Sequence, residues 1–314
     1  MLVRRQDLSR HAAVTQAWPM TMLGTAYRWP LEAIWEEVSP NLPGFSVEVL
    51  PEIDSTNTEL MRRSRAGQCD PVLLVAEHQT AGRGRLGRQW LGAGMGQGLH
   101  DRMPSLTFSL GLPLQCADWS GLSLAVGMSV AQSLKALCPA VPGAAIGLKW
   151  PNDVWWQGRK LAGILIETAG ASPANVDSSM RYAVIGVGVN MLAPELPVAA
   201  TPGQMAAVEP VGLQSIAAGL SAAQVLQQLA WPLVKTVMKF EKHGFDALAA
   251  DFAEFDLLAG KPIVLSDGRS GIARGVDGTG ALQVDVKGER HHISSGEVSV
   301  RPLHNTVLTM NGHG

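Results

Sequence analysis

The sequence predicts an α+β protein in which a larger unit of strands and helices precedes a small all-β unit. Three observations carry this. Between Ser46 and Phe255, short β-branched and leucine runs alternate with segments of helical period. After Phe255 only strand-length pieces remain, such as KPIVL, GIARGV, ALQVDV and HHISS, cut by Asp-Gly, Gly-Thr-Gly and Lys-Gly turns. Ahead of Ser46 the chain is rich in Trp, Pro and Arg and poorly patterned. The 314 residues therefore divide into an N-terminal extension (1–45), a main unit (46–255) and a small antiparallel β unit (256–305).

The extension holds one short helical pattern, Leu31–Val38. Residues 46–50 (SVEVL) form a strand, and DSTNTELMRR then opens a helix, because Thr56 and Glu59 have capping-box spacing. Residues 72–76 and 106–110 are buried strands. Over residues 121–138, Leu122, Ala125, Val126, Val130, Leu134, Leu137 and Cys138 recur at three- and four-residue intervals, one apolar stripe of a helix. Ser123, Ser129, Gln132, Ser133 and Lys135 interrupt that stretch, so it is not a membrane span. Residues 161–168 and 182–189 are further strands, and residues 192–219 are a long Pro-, Ala- and Gly-rich connection. Ser221 with Gln224 starts a helix that Pro232 should bend or restart. In the β unit, Leu282, Val284 and Val286 share one face.

Composition narrows the function classes. A net charge of -2 and a pI near 6.4 give no broad basic field for nucleic acid, so any strong charge effect must be local. The three cysteines (Cys69, Cys116, Cys138) make no Cys-x-x-Cys pair, which points away from disulfides and zinc and toward a reducing, cytoplasmic compartment. The first residues lack the apolar core of a secretory signal. The eight histidines form no H-E-x-x-H helix.

One local charge feature stands out. TAGRGRLGRQW, residues 80–90, contains Gly82-x-Gly84-x-x-Gly87, the letters of a dinucleotide fingerprint. That fingerprint needs a helix start after the glycines, and Arg88-Gln89-Trp90-Leu91-Gly92-Ala93-Gly94 is not one. Three arginines set among three glycines suit a mobile flap closing over a polyanion, since glycine admits close backbone approach and guanidinium forks onto phosphate or carboxylate. A solvated basic loop is the alternative. Further on, Lys149-Trp150-Pro151-Asn152-Asp153 and Arg159-Lys160-Leu161-Ala162-Gly163 place lysines at strand entrances, where each reaches an anion or merely snorkels to solvent.

DSTN, EHQTAGRGRLGRQW, KWPNDV, RKLAGILIE and VIGVGVN, in this order, resemble the biotin protein ligases. The resemblance covers residues 46–303 and implies a central mixed sheet similar to class II aminoacyl-tRNA synthetases, followed by an SH3-like barrel. It implies adenylation of biotin by MgATP to biotinyl-5′-AMP, then transfer to a lysine of the biotin carboxyl carrier protein of acetyl-CoA carboxylase. It implies that Ser55, Thr56, Asn57 and Gln79 line the biotin end, and that Arg83, Gly84 and Arg85 wrap the acyl group and its phosphate. Arg88 and Trp90 fall where the loop closes. Lys160 matches the lysine meeting biotin's carboxylate and the α-phosphate, an electrophilic stabiliser rather than a nucleophile. Lys160, Arg85 and Arg88 are thus the catalytic candidates, and Arg85, Arg88, Trp90, Lys160, Asn152 and Asn190 the ATP-side set. Asn152 and Asp153 form either a structural turn or, through Asp153, a magnesium contact. Gly186 and Gly188 either let a strand approach the nucleotide or mark a bulge.

Three departures from the family pattern accompany the match. Leu86 stands where a second arginine is common, the segment 91–105 is long and glycine-rich, and about 45 residues precede the main unit. The last is too short and poorly patterned for the winged helix of regulatory members, so DNA repression is not expected. A lipoate-protein ligase of the same fold is the nearest alternative, but it should lack the Gly-Arg-Gly-Arg flap. A homodimer through edge strands of the sheet stays open.

Overall fold

A computed structural model describes residues 27–90, 103–139, 146–170, 180–195, 209–294 and 300–302. Residues 1–26 of the extension, residues 91–102 of the glycine-rich segment, residues 196–208 of the long connection, and the chain beyond residue 302 lie outside the described residues.

The apolar runs of the sequence become the middle of a mixed seven-stranded sheet. Its members are β1 (Ser46–Ile53), β2 (Val72–Gln79), β3 (Ser105–Leu114), β4 (Ile146–Lys149), β5 (Asp153–Trp156), β6 (Arg159–Gly170) and β7 (Arg181–Asn190), in the order β1-β2-β3-β7-β6-β5-β4. β1 and β2 are parallel, and the other neighbours are antiparallel. β2, β3 and β7 are buried almost throughout because both faces are covered, which is why they read as continuous apolar runs rather than as alternation. One face packs on α1 (Leu31–Val38), α3 (Leu122–Leu137) and α4 (Ala222–His243) through the main core, which includes Leu73, Val75, Phe108 and Leu110. The other face carries α2 (Thr56–Arg65), packed through Leu60 and Met61 on Val72, Leu74, Tyr182 and Val184.

Three local expectations change. Ser55, not Thr56, caps α2: its Oγ accepts from the Thr58 amide at 3.4 Å, and Thr56 is the first helical residue. Pro232 lies inside a continuous α4 and does not restart it, although the Ser221–Gln224 capping box at its start forms as expected. α3 is buried on more than one stripe, since Ser129 and Ser133 are enclosed along with its leucines and valines.

α5 (Asp246–Phe252) leads to the second sheet, formed by β8 (Pro262–Leu265), β9 (Ser270–Val276), β10 (Leu282–Val286), β11 (Glu289–Ile293) and β12 (Val300–Pro302). It is antiparallel, in the order β11-β10-β9-β8-β12. The two sheets are tied together. The Leu148 amide donates to Phe255 O at 2.7 Å, the Leu257 amide donates to Leu148 O at 2.9 Å, and Trp150 Nε1 donates to Gly280 O at 3.0 Å. The second sheet is therefore hydrogen-bonded to the segment that carries Lys149 and Asn152. Among the described residues no helix is long and apolar enough to cross a membrane.

Candidate active site

Because β1 and β2 run parallel, the chain leaves both at the same end of the sheet. There β1 delivers the start of α2 and β2 delivers the arginine loop, and the Thr80 and Ala81 amides donate to Ile53 O and Asp54 O at 2.9 Å each. Strand carboxyl ends gather ligand-facing loops for this reason. Between them opens a cleft of about 920 Å³, counted out into the open solvent at its mouth.

The floor is polar and fully tied. Gln79 Oε1 accepts from the Thr56 amide at 2.8 Å and from Thr56 Oγ1 at 3.2 Å. Ser109 Oγ lies 2.7 Å from both Thr56 Oγ1 and Asn57 Oδ1. Asn57 Nδ2 donates to Leu165 O at 3.2 Å and to Glu167 Oε2 at 3.0 Å. Ser55, Thr56 and Asn57 are each 3% exposed, so these bonds fix the side chains before any ligand arrives. Asn57 fits there because position 186 is glycine: a Cβ on Gly186 would come within 2.1 Å of Asn57 Oδ1.

The arginine loop is a small closed hairpin. Arg83 bridges Gln89, the Gly84 amide donates to Arg88 O at 2.7 Å, and the Trp90 amide donates to Gly82 O at 2.9 Å. Its tip is a 3₁₀ turn, Arg85–Gly87, with Leu86 at φ 56° and 67% exposed. The residue that departs from the family pattern thus sits exposed at the tip of the loop, at the edge of the cleft. Trp90 folds inward over Gly188, where a Cβ would lie 2.5 Å from the indole.

The third wall comes from β5 and β6. Simple pairing would set Lys160 on the opposite face from Asp153, but the register slips between Val154 and Trp155, pairing Val154 with Ala162 and Trp155 with Lys160. This bulge turns Lys160 onto the face of Asp153. Lys160 Nζ lies 2.7 Å from Asp153 Oδ1 and 5.6 Å from the Trp90 ring centroid. Its backbone is pinned as well: its amide donates to Glu209 O at 3.1 Å, and its carbonyl accepts from the Val211 amide at 2.9 Å and Asn190 Nδ2 at 3.2 Å. Arg85 Nη1 reaches Asn152 Oδ1 at 3.4 Å, and Asn152 Nδ2 donates to Ile164 O at 2.8 Å. Burial lowers the Arg85 pKa from its ordinary value; the Asp153 charge opposes this and neighbouring Arg88 reinforces it. An arginine held charged while partly stripped of water has more to gain from an anionic ligand.

Ser55, Thr56, Asn57, Gln79, Arg83, Gly84, Arg85, Arg88, Trp90, Asn152, Asp153 and Lys160 all line this one cleft. Asn190 does not; it is 2% exposed behind Lys160, where its Oδ1 is a buried acceptor with no donor among the described residues. Sequence reasoning passed over two contributors, Ser109 and Glu167, and left a third, Lys149, open between reaching an anion and snorkelling to solvent. Lys149, 9% exposed, lines the cleft 5.7 Å from the Trp155 ring centroid. Ser109 joins Thr56 to Asn57, and Glu167 holds both Asn57 and Arg83. Among the described residues the lining sets five cationic side chains (Arg83, Arg85, Arg88, Lys149, Lys160) against the single carboxylate of Asp153, an arrangement for a multiply charged anion. Among the described residues no group of three or more His, Cys, Asp or Glu could hold a metal. Asp153, already paired with Lys160, suits a divalent ion only if phosphate oxygens supply most of its ligands.

The fold, the cationic cleft and the family matches together define a ligase of the biotin and lipoate class. Residues 49–190 match the biotin/lipoate A/B protein ligase family, and residues 260–301 match the biotin protein ligase C-terminal domain. The chain is 35% identical over 266 residues to the biotin–acetyl-CoA-carboxylase ligase of Mycobacterium tuberculosis, covering 80% of this chain and 88% of that one. It belongs to the biotin protein ligase family. It is also 31% identical over 309 residues to the bifunctional ligase/repressor BirA of Escherichia coli, covering 95% of this chain and 89% of that one. An alignment of that reach extends into residues 1–45. Among solved structures, the biotin protein ligase from Aquifex aeolicus in complex with biotin and ATP has the same fold, with a TM-score of 0.62 at 24% identity, over 82% of this chain and 99% of that one.

Proposed function

We propose that the protein is an ATP-dependent biotin protein ligase that forms biotinyl-5′-AMP and passes biotin to a lysine of the biotin carboxyl carrier protein of acetyl-CoA carboxylase. The observation that carries this is the convergence of Arg85 and Lys160 on one cleft, over a preset polar floor and under a glycine-hinged loop. Biotin's carboxylate attacks the α-phosphorus of ATP and pyrophosphate leaves. The carrier lysine's Nζ then attacks the acyl carbonyl of the mixed anhydride, and AMP leaves. Both steps gather negative charge on one phosphate, so preplaced cations are the main catalytic resource.

Ser55, Thr56, Asn57, Gln79, Arg83 and Gly84 hold the biotin end. Lys160 meets the carboxylate and the α-phosphate. Arg85 and Arg88 close over the phosphate, Trp90 and Asn152 complete the nucleotide side, and Asn190 stands behind Lys160, holding its carbonyl through Nδ2. A Mg²⁺ ion carried by the nucleotide would take Asp153 as its protein carboxylate and would supply further neutralisation of the phosphate charge. Residues 46–255 serve as a class II synthetase-like catalytic unit and residues 256–305 as an SH3-like one, in a cytoplasmic enzyme.

Labelled biotin and labelled lipoate, each offered with MgATP and a purified carrier domain, test this directly. Incorporation of biotin alone is expected, and preferential incorporation of lipoate would overturn it. In Arg85→Gly the loop loses one of its phosphate-facing cations and gains backbone freedom. The adenylate should then escape roughly ten times faster or more, read as biotinylation of bystander lysines. Escape at the wild-type rate removes Arg85 from that role.

A further inference from the structure

Glu167 lies toward the opposite end of β6 from Lys160, and the reaction as described makes no use of it. Its carboxylate joins two parts of the site. Oε1 and Oε2 accept from Arg83 Nη1 at 3.0 and 3.1 Å, and Oε2 also accepts from Asn57 Nδ2 at 3.0 Å. The hydrogen bonds internal to the arginine loop, Gly84 to Arg88 and Trp90 to Gly82, fix the loop's shape but not its position over the cleft. Position depends on ties to the body of the protein, and Arg83–Glu167 is shorter than the 3.4 Å tie from Arg85 to Asn152.

We propose that Glu167 is a positioning residue that latches the arginine loop to the floor of the site and thereby sets how long the acyl adenylate is retained. The inference rests on the ligase reading. The physical case is that one carboxylate serves both groups: fixing Asn57 from below orients Glu167, and an oriented Glu167 presents both oxygens to Arg83. Exposed ion pairs with no third partner contribute little because both side chains must be ordered for the one contact. Here Asn57 is 3% exposed and already fixed, so half of that ordering is in place before the loop closes. Side-chain exposures of 49% for Arg83 and 22% for Glu167 keep the latch openable, as an entry route requires.

The test loads the full-length enzyme with labelled biotin and MgATP in the absence of carrier, chases with unlabelled biotin, and follows release of biotinyl-AMP. Glu167→Gln keeps the shape and one acceptor but removes the charge, and release should rise about five- to tenfold. Arg83→Ala, which also removes a group from the biotin end, should give at least as large a rise. The double variant should release no faster than the faster single one, because both break the same tie. A merely structural role for Glu167 would lower the melting temperature without this non-additivity. Wild-type retention in Glu167→Gln, or effects of the two substitutions that multiply, would overturn the latch. If the wild type forms no adenylate, the ligase reading falls as well; if it does and the Glu167 variant retains it, only the latch falls.

Discussion

Lys160→Ala should lower biotin-dependent ATP–pyrophosphate exchange by roughly a hundred- to a thousandfold, the loss found when one preorganised donor is removed from a charge-developing transition state. The structure supports the upper part of that range. Nζ is held in place by the β5–β6 bulge, by three backbone hydrogen bonds at Lys160, and by Asp153 at 2.7 Å. It therefore needs little reorganisation when negative charge appears on the α-phosphate. Alanine also takes away the ammonium paired with Asp153, leaving Arg85 to offset a carboxylate that faces the cleft with a side chain only 15% exposed. An incoming phosphate would then meet a carboxylate where it had met an ammonium. Two consequences separate this from general damage. Lys160→Ala should melt close to the wild-type temperature, since the side chain is 32% exposed and no core packing is lost. Lys160→Arg should recover part of the exchange, because it returns a cation beside Asp153. Exchange at the wild-type rate in Lys160→Ala would reject the assigned role.

What was legible in the sequence, and what was not, follows from how local each feature is. β2, β3 and β7 show as apolar runs because both of their faces are covered, and the arginine loop shows because its glycines and arginines are contiguous. The Ser221–Gln224 cap was legible for the same reason. At α2 two adjacent residues, Ser55 and Thr56, are both competent caps, and only the backbone decides which takes the position. The bulge at Lys160 belongs to the pairing of β6 with β5, so no property of RKLAGILIE alone reveals it. Glu167 and Ser109 were missed on similar grounds. Glu167 reads as a polar residue near a strand end and Ser109 as a serine between Phe108 and Leu110. Their partners stand 84 and 52 residues away, at Arg83 and Asn57. The continuity of α4 through Pro232 is likewise set by its packing on α3 rather than by local preference.

Gly186→Ala carries the other large effect, and it is counterintuitive. In a strand interior, replacing glycine with a residue that has a side chain ordinarily stabilises. Gly186 pairs with Ser109 on one side and Leu165 on the other, and a Cβ there would meet Asn57 Oδ1 at 2.1 Å. Asn57 cannot simply turn aside. Its amide is engaged by Ser109 Oγ at 2.7 Å, Leu165 O at 3.2 Å and Glu167 Oε2 at 3.0 Å, and its neighbours in α2 are buried. Displacing it gives up buried hydrogen bonds at about 1 to 3 kcal/mol for each group left unsatisfied, and it deforms the floor that receives biotin. Biotin affinity measured by calorimetry should fall roughly ten- to a hundredfold. Gly170→Ala is the control: it lies at the end of β6 with nothing within 4 Å of a new Cβ, so neither affinity nor melting temperature should move. Adding Asn57→Ala to Gly186→Ala removes the clash but not the loss of the ligand-facing amide. Melting temperature should therefore recover in part, since the clash goes but the hydrogen bonds of Asn57 stay lost, while biotin affinity stays low; recovery of affinity as well would mean that Asn57 serves packing alone.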